Sequence, residues 1–297
     1  MFQMNFIIQK LSLLALVILS LNIAYASTIT VEVDSGLGYV DSDINVGSSS
    51  GTIYKIGDGS AAFAGTNAAY SLEIQKGAAR IDNASSLPSN NVTYSTNAGN
   101  ICEINVASAT VPKVTMNQPG YLLADYDTSL AGMGGTSAVT IAGGFYQSTA
   151  GVVTVTGNLS ASSTPAVIAG ASSSLVNPAT GSAGSTPAGR LKVGGATSKM
   201  SGGDLTVNGV LQITSSTSAK AFPGATTIGS GGILAVDAGV TVPSTNAAGS
   251  ATITDIFSNA SAGGSNTAGL KFTNNSTLRL GNGARYRRPI IVGSFDR

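Results

Sequence analysis

Charged residues make up 10% of this 297-residue chain, against about 25% in ordinary globular domains. Glycine occupies 38 positions and the formal net charge is +1. That mixture excludes a protein of long helices, because Gly loses the most backbone entropy in a helix and Ser, Thr and Asn compete for its hydrogen bonds. It also excludes plain disorder, since 42% of residues are hydrophobic and they fall in short β-prone runs.

Lys10 precedes an apolar run from Leu11 to Ile23, which ends at Ala24-Tyr25-Ala26. A basic flank, an apolar core of that length and small residues two apart make the pattern of a secretory signal peptide, with cleavage expected before Ser27. The run is shorter than the ~20 residues a membrane-spanning helix needs. Beyond 1–26, composition divides the chain into a β region at 27–150, a linker or loop at 151–190, repeats at 191–284 and a basic tail at 285–297.

The 27–150 region holds most of the tyrosines, and it carries ten acidic and four basic residues, a net −6. Residues 151–297 carry four acidic and ten basic, a net +6. The first region is expected as a cap or a separate β domain. Within it, Asp41, Asp43 and Asn45 match the opening ligand spacing of a calcium loop. The required glycine is Val46 and the required glutamate is Thr52, so the EF-hand reading fails. A looser calcium site on one strand face stays open at these three residues, as does a solvated strand. Asp125 and Asp127 repeat the i, i+2 geometry. Gly47, Ser49 and Gly51 fit the G-x-S-x-G nucleophile pattern, which also needs a histidine base. Cys102 stands alone, so no internal disulfide forms, and it reads as a small buried residue.

Residues 158–190 are rich in Ser, Thr, Ala and Gly, with Pro165, Pro178 and Pro187 breaking regular structure. Around and after them a short motif recurs: Val153/Val155, Leu191/Val193, Leu205/Val207, Leu234/Val236, Leu270/Phe272 and Leu278/Leu280. Side chains at i and i+2 share one face of a strand, so each pair supplies one inward patch. The uneven spacing suits a solenoid, whose rungs tolerate insertions because each packs only on its neighbours. The expected fold is all-β, a right-handed parallel β-helix at least in the C-terminal half. The alternative is an antiparallel sandwich, because Asn208-Gly209 between two apolar runs is a hairpin signal.

"SGGDLTVNGVLQI", "IGSGGILAVDAGVTV" and "LKFTNNSTLRLGNGA" resemble passenger segments of autotransporter surface proteins, including the rickettsial-type outer-membrane antigens. The resemblance covers 191–284. It implies a parallel β-helix exported to the bacterial outer-membrane surface, acting in adhesion or as a surface layer. Such proteins end in a translocating β-barrel of alternating strands, and no such series follows here. Arg285, Arg287, Arg288 and the ending "SFDR" do not resemble a barrel's last strand. The departure implies a truncated passenger or another export route.

The chain contains no histidine, which removes Ser–His–Asp and Cys–His nucleophile systems and His-based metal sites. The expectation is therefore a non-catalytic protein with no cofactor and no metal, whose binding residues are unassigned. Its partners are host or neighbouring-cell surface molecules, protein or glycan, or further copies of itself, and not nucleic acid. Arg285, Arg287 and Arg288 suit phosphate or sulfate, but a solvated basic tail is the simpler reading. A polysaccharide-active enzyme using Asp41, Asp43, Asp125 or Asp127 is the third alternative.

Overall fold

The computed structural model describes residues 28–41, 51–66, 70–155, 159–161, 166–177, 180–193, 205–214, 226–237, 241–242, 270–273, 275–283 and 285–286. The chain winds as a right-handed parallel β-helix. Three parallel sheets form its faces. The first begins with Thr28–Glu32 and Gly51–Ile56 and runs to Leu159–Ala161. The second runs from Gly38–Asp41 to Leu270–Phe272 and is continuous along the described rungs. The third starts only at Ala109–Val111 and ends at Thr277–Leu280. The cross-section therefore changes along the axis, from first and second sheets, to all three, to second and third.

The i, i+2 patches stack in register. Leu191 pairs with Leu211, Leu211 with Leu234, and Leu234 with Leu278. Leu234 and Val236 are buried, as the repeat pattern requires. In the first sheet the ladder is Ile53, Leu72, Val92, Val114 and Met133. Like-on-like apolar stacking removes both flanks of each side chain from water, at about 25 cal/mol per Å². Gly232 turns one corner: a Cβ there would lie 2.0 Å from the carbonyl oxygen of Val207 on the preceding rung. Asn208-Gly209 joins Leu205–Val207 of the second sheet to Val210–Ile213 of the third. It turns a solenoid corner between two strands in parallel sheets, and the antiparallel sandwich is thereby overturned.

Residues 151–190 contribute Val152–Val155, Leu159–Ala161, Ala166–Ile168 and Arg190–Val193 to the three sheets. Between the last two lies an antiparallel hairpin, Ser172–Asn177 with Ser182–Thr186. Its turn comes back to the first rung, where a Cβ on Gly181 would sit 3.7 Å from Gly36. The hairpin thus lies along the axis over the outer face of the second sheet. Under it Ala78, Ile101, Leu123 and Ala142 form a second apolar cluster, against which Phe145 and Leu175 pack. Because rungs follow chain order, charge is also distributed along the axis. Among the described residues, nine acidic and four basic residues precede 151, while one acidic and five basic follow it.

Candidate functional site

The densest polar cluster sits on the outer face of the second sheet, beside that apolar patch. Outward positions of three successive rungs build it. Arg80 is in register with Glu103, and Glu103 with Leu123. Two residues further along each strand stand Asp82, Asn105 and Asp125. Arg80 Nε is 2.8 Å from both carboxylate oxygens of Asp82, and Asn105 Nδ2 donates to Asp82 Oδ1 at 3.0 Å. The Arg80 guanidinium also lies under the Tyr146 ring, 4.6 Å from its centroid, and donates to the Tyr146 hydroxyl. Stacking and a bidentate ion pair hold this arginine from two sides.

Glu103 and Asp125 are buried next to this pair. Glu103 Oε1 accepts the backbone N–H of Phe145 at 2.6 Å, and Asp125 Oδ1 accepts that of Tyr146 at 2.9 Å. Burial, with the Asp125 carboxyl beside it, pushes Glu103 up to about 8. Burial also raises Asp125. Asp125 Oδ2 is buried without a hydrogen-bond partner. Burial and the neighbouring carboxyl both favour the protonated form of Glu103. Gly144 lies against Asp125, and a Cβ there would come within 2.3 Å of its carboxyl. Glycosidic carboxylates stand apart, with the sugar between them. Here both carboxyls are buried and take the backbone N–H groups of Phe145 and Tyr146, so the arrangement anchors the 144–146 corner.

The other carboxylates act similarly. Asp41 Oδ1 accepts the backbone N–H groups of Ala64 and Gly65 on the next rung. Asp43 and Asn45, its expected companions, lie outside the described residues, as do Arg287 and Arg288. Asp127 does not join Asp125. Its Oδ1 accepts the N–H of Val152 at 2.8 Å. Among the described residues, no group of three Asp, Glu or Cys side chains converges as metal ligands. Cys102 is fully buried, and burial pushes its thiol up to about 12.

Lys55 was not legible as a special residue, yet it is wholly buried. It stands in the interior between Val31 and Ile74 and donates to the carbonyls of Ile56, Gly57 and Lys76 at 2.7, 2.7 and 3.0 Å. Glu103 and Arg80 were missed too. The signal was present in "ARIDN" (79–83) and "CEINV" (102–106), which align Arg with Glu and Asp82 with Asn105. The corner between the second and third sheets also carries an open cleft of about 350 Å³, which Ser108, Tyr126, Asp127, Gln147 and Thr149 help to line.

Fold and site together define a parallel β-helix solenoid whose buried charges hold corners. The chain matches no protein-family model, no curated protein and no solved structure.

Proposed function

We propose that this protein is a non-catalytic rod displayed on the bacterial surface, resembling an autotransporter passenger and acting in adhesion. One observation carries the reading: its buried and corner ionisable side chains serve the scaffold. Asp41, Glu103, Asp125 and Asp127 each accept backbone N–H groups at corners, and Lys55 caps three carbonyls. A stack of strands rises about 4.8 Å per rung, so each added rung extends the rod from its point of attachment. Protease shaving of intact cells, followed by mass spectrometry, tests the display. Released peptides from Ser27 onward support it, and full protection with the protein in the periplasm refutes it.

A second reading, self-assembly into a surface layer, is favoured by the unlike ends. The acidic rungs come first and the basic ones last. Large exposed apolar side chains also occur at both ends, Leu37 and Val40 on the first rung and Leu280 on the last strand of the third sheet. Head-to-tail contact pairs opposite charges and covers strand edges. Sedimentation at low and high salt tests it, because screening shortens such attractions to about 10 Å at 0.1 M. Association that is unchanged by salt removes the charge argument.

A further inference from the structure

We propose that the cleft at the corner between the second and third sheets binds a neutral oligosaccharide. Corner loops of three adjacent rungs shape it, at 107–108, 125–127 and 147–151. Its volume, about 350 Å³, lies in the range of small-ligand sites. Rungs are about 4.8 Å apart along the axis, so an opening that crosses three of them admits a chain of linked rings.

The lining chooses the ligand class. Tyr126 is 37% exposed and offers a ring face, and Gln147 Nε2 donates to its hydroxyl at 2.7 Å, which steadies the ring. Asp127 is pinned at the wall by the Val152 N–H. The Ser108 and Thr149 side chains are exposed at the rim, and Ser108 holds φ 57, a strained conformation for a residue with a side chain. No Lys or Arg is among the described residues lining the cleft, whose ionisable groups are Asp125 and Asp127, so phosphate or sulfate would meet carboxylates and no cation and be repelled. An apolar ligand would desolvate the carboxylate and amide without replacing their hydrogen bonds. A single tyrosine does not make the aromatic cage that encloses a cationic group. A sugar answers each group: its hydroxyls donate to Asp127 and exchange bonds with Gln147, Ser108 and Thr149, while its C–H face covers the Tyr126 ring.

This assignment names a ligand class for the adhesive reading and rests on that reading for its biological setting. Its test uses the purified full chain, so a failure of binding and a failure of surface display are separate results. Maltohexaose, cellohexaose and chitohexaose serve as probes in saturation-transfer NMR and calorimetry. The expected result is saturable binding of at least one, with Kd on the order of 1 mM or tighter. Tyr126→Ala weakens it about tenfold, and Thr149→Trp, filling the cleft from an exposed position, abolishes it. Thermal melts of both variants confirm that the fold is kept. Three results overturn the proposal: no binding of any probe at on the order of 10 mM, unchanged binding in a folded Thr149→Trp variant, or capture of a hexalysine peptide in place of the sugars.

Discussion

Phe145 donates its backbone N–H to Glu103 Oε1 at 2.6 Å across 42 positions of sequence. This one bond ties a corner loop to a strand two rungs earlier. The loop then carries Phe145 into the apolar cluster beneath the Ser172–Asn177 hairpin strand. A Cβ on Gly184 of the partner strand would stand 2.9 Å from the Phe145 ring. Glu103 therefore supports a third layer laid over the outer face of the solenoid.

Burial of Glu103, which outweighs the opposing effect of that bond, makes stability depend on pH in a defined direction. The folded value of Glu103, about 8, lies above its ordinary 4.5. Between those values the folded chain binds more protons than the unfolded one. The stabilisation is complete below about 4.5 and is lost as pH rises through about 8. Glu103→Gln keeps an acceptor for Phe145 and a donor for Asp125. Its unfolding free energy should match the parent at pH 5 and exceed it at pH 9 by on the order of 2 kcal/mol, read from urea titrations. Equal stabilities at pH 9 would show that the folded value of Glu103 is not raised.

Lys55 gives the opposite slope in the adjoining window. Burial lowers its value from 10.5 to about 8. Between about 8 and 10.5 the unfolded chain binds more protons, and stability recovers with pH. A melting temperature that falls from pH 5 to 8 and then rises toward pH 10 is the combined expectation. Lys55→Met removes the rise alone. It also leaves the carbonyls of Ile56, Gly57 and Lys76 without this donor, at a cost of about 3 kcal/mol. Denaturant titrations of both single variants across pH separate the two limbs.

The rung motif was legible because burial at i and i+2 leaves its mark on each strand separately. Leu234 and Val236 needed only their own sequence to be placed inside. Asn208-Gly209 misled for a physical reason: a turn residue reports the bend of the chain and says nothing about whether the next strand pairs back or passes to another sheet. The Glu103–Asp125 pair depends on register between rungs, which no single segment encodes. The axial hairpin was hidden in a Ser- and Gly-rich stretch because its strands are mostly exposed, with Leu175 as the side chain that seats it.

Corner glycines should divide sharply by what faces them. Gly232→Ala pushes a Cβ against the Val207 carbonyl oxygen, backbone that has no rotamer to yield. The expected loss is about 1–3 kcal/mol. Gly38→Ala meets nothing within 4 Å and leaves its conformation unstrained. It should be neutral, or stabilising by about 0.5 kcal/mol through the unfolded chain. Urea denaturation of the two variants beside the parent measures both. Equal losses would mean that the corner relaxes freely.

Cys102 reports on whether the solenoid interior opens. It is stacked in register between Ala79 and Leu122, is fully buried, and its thiol is pushed up to about 12. The thiolate is the reactive form, so at pH 8 both access and ionisation oppose reaction in the folded chain. Labelling by a chromogenic disulfide reagent should therefore proceed only through opening of the central rungs, at a rate independent of reagent concentration once reagent is in excess. Urea below the unfolding midpoint should accelerate it in parallel with the fall in stability. Rapid stoichiometric labelling in native buffer would contradict the stacked interior at this rung. Labelling that ignores urea until global unfolding would show that these rungs open only together.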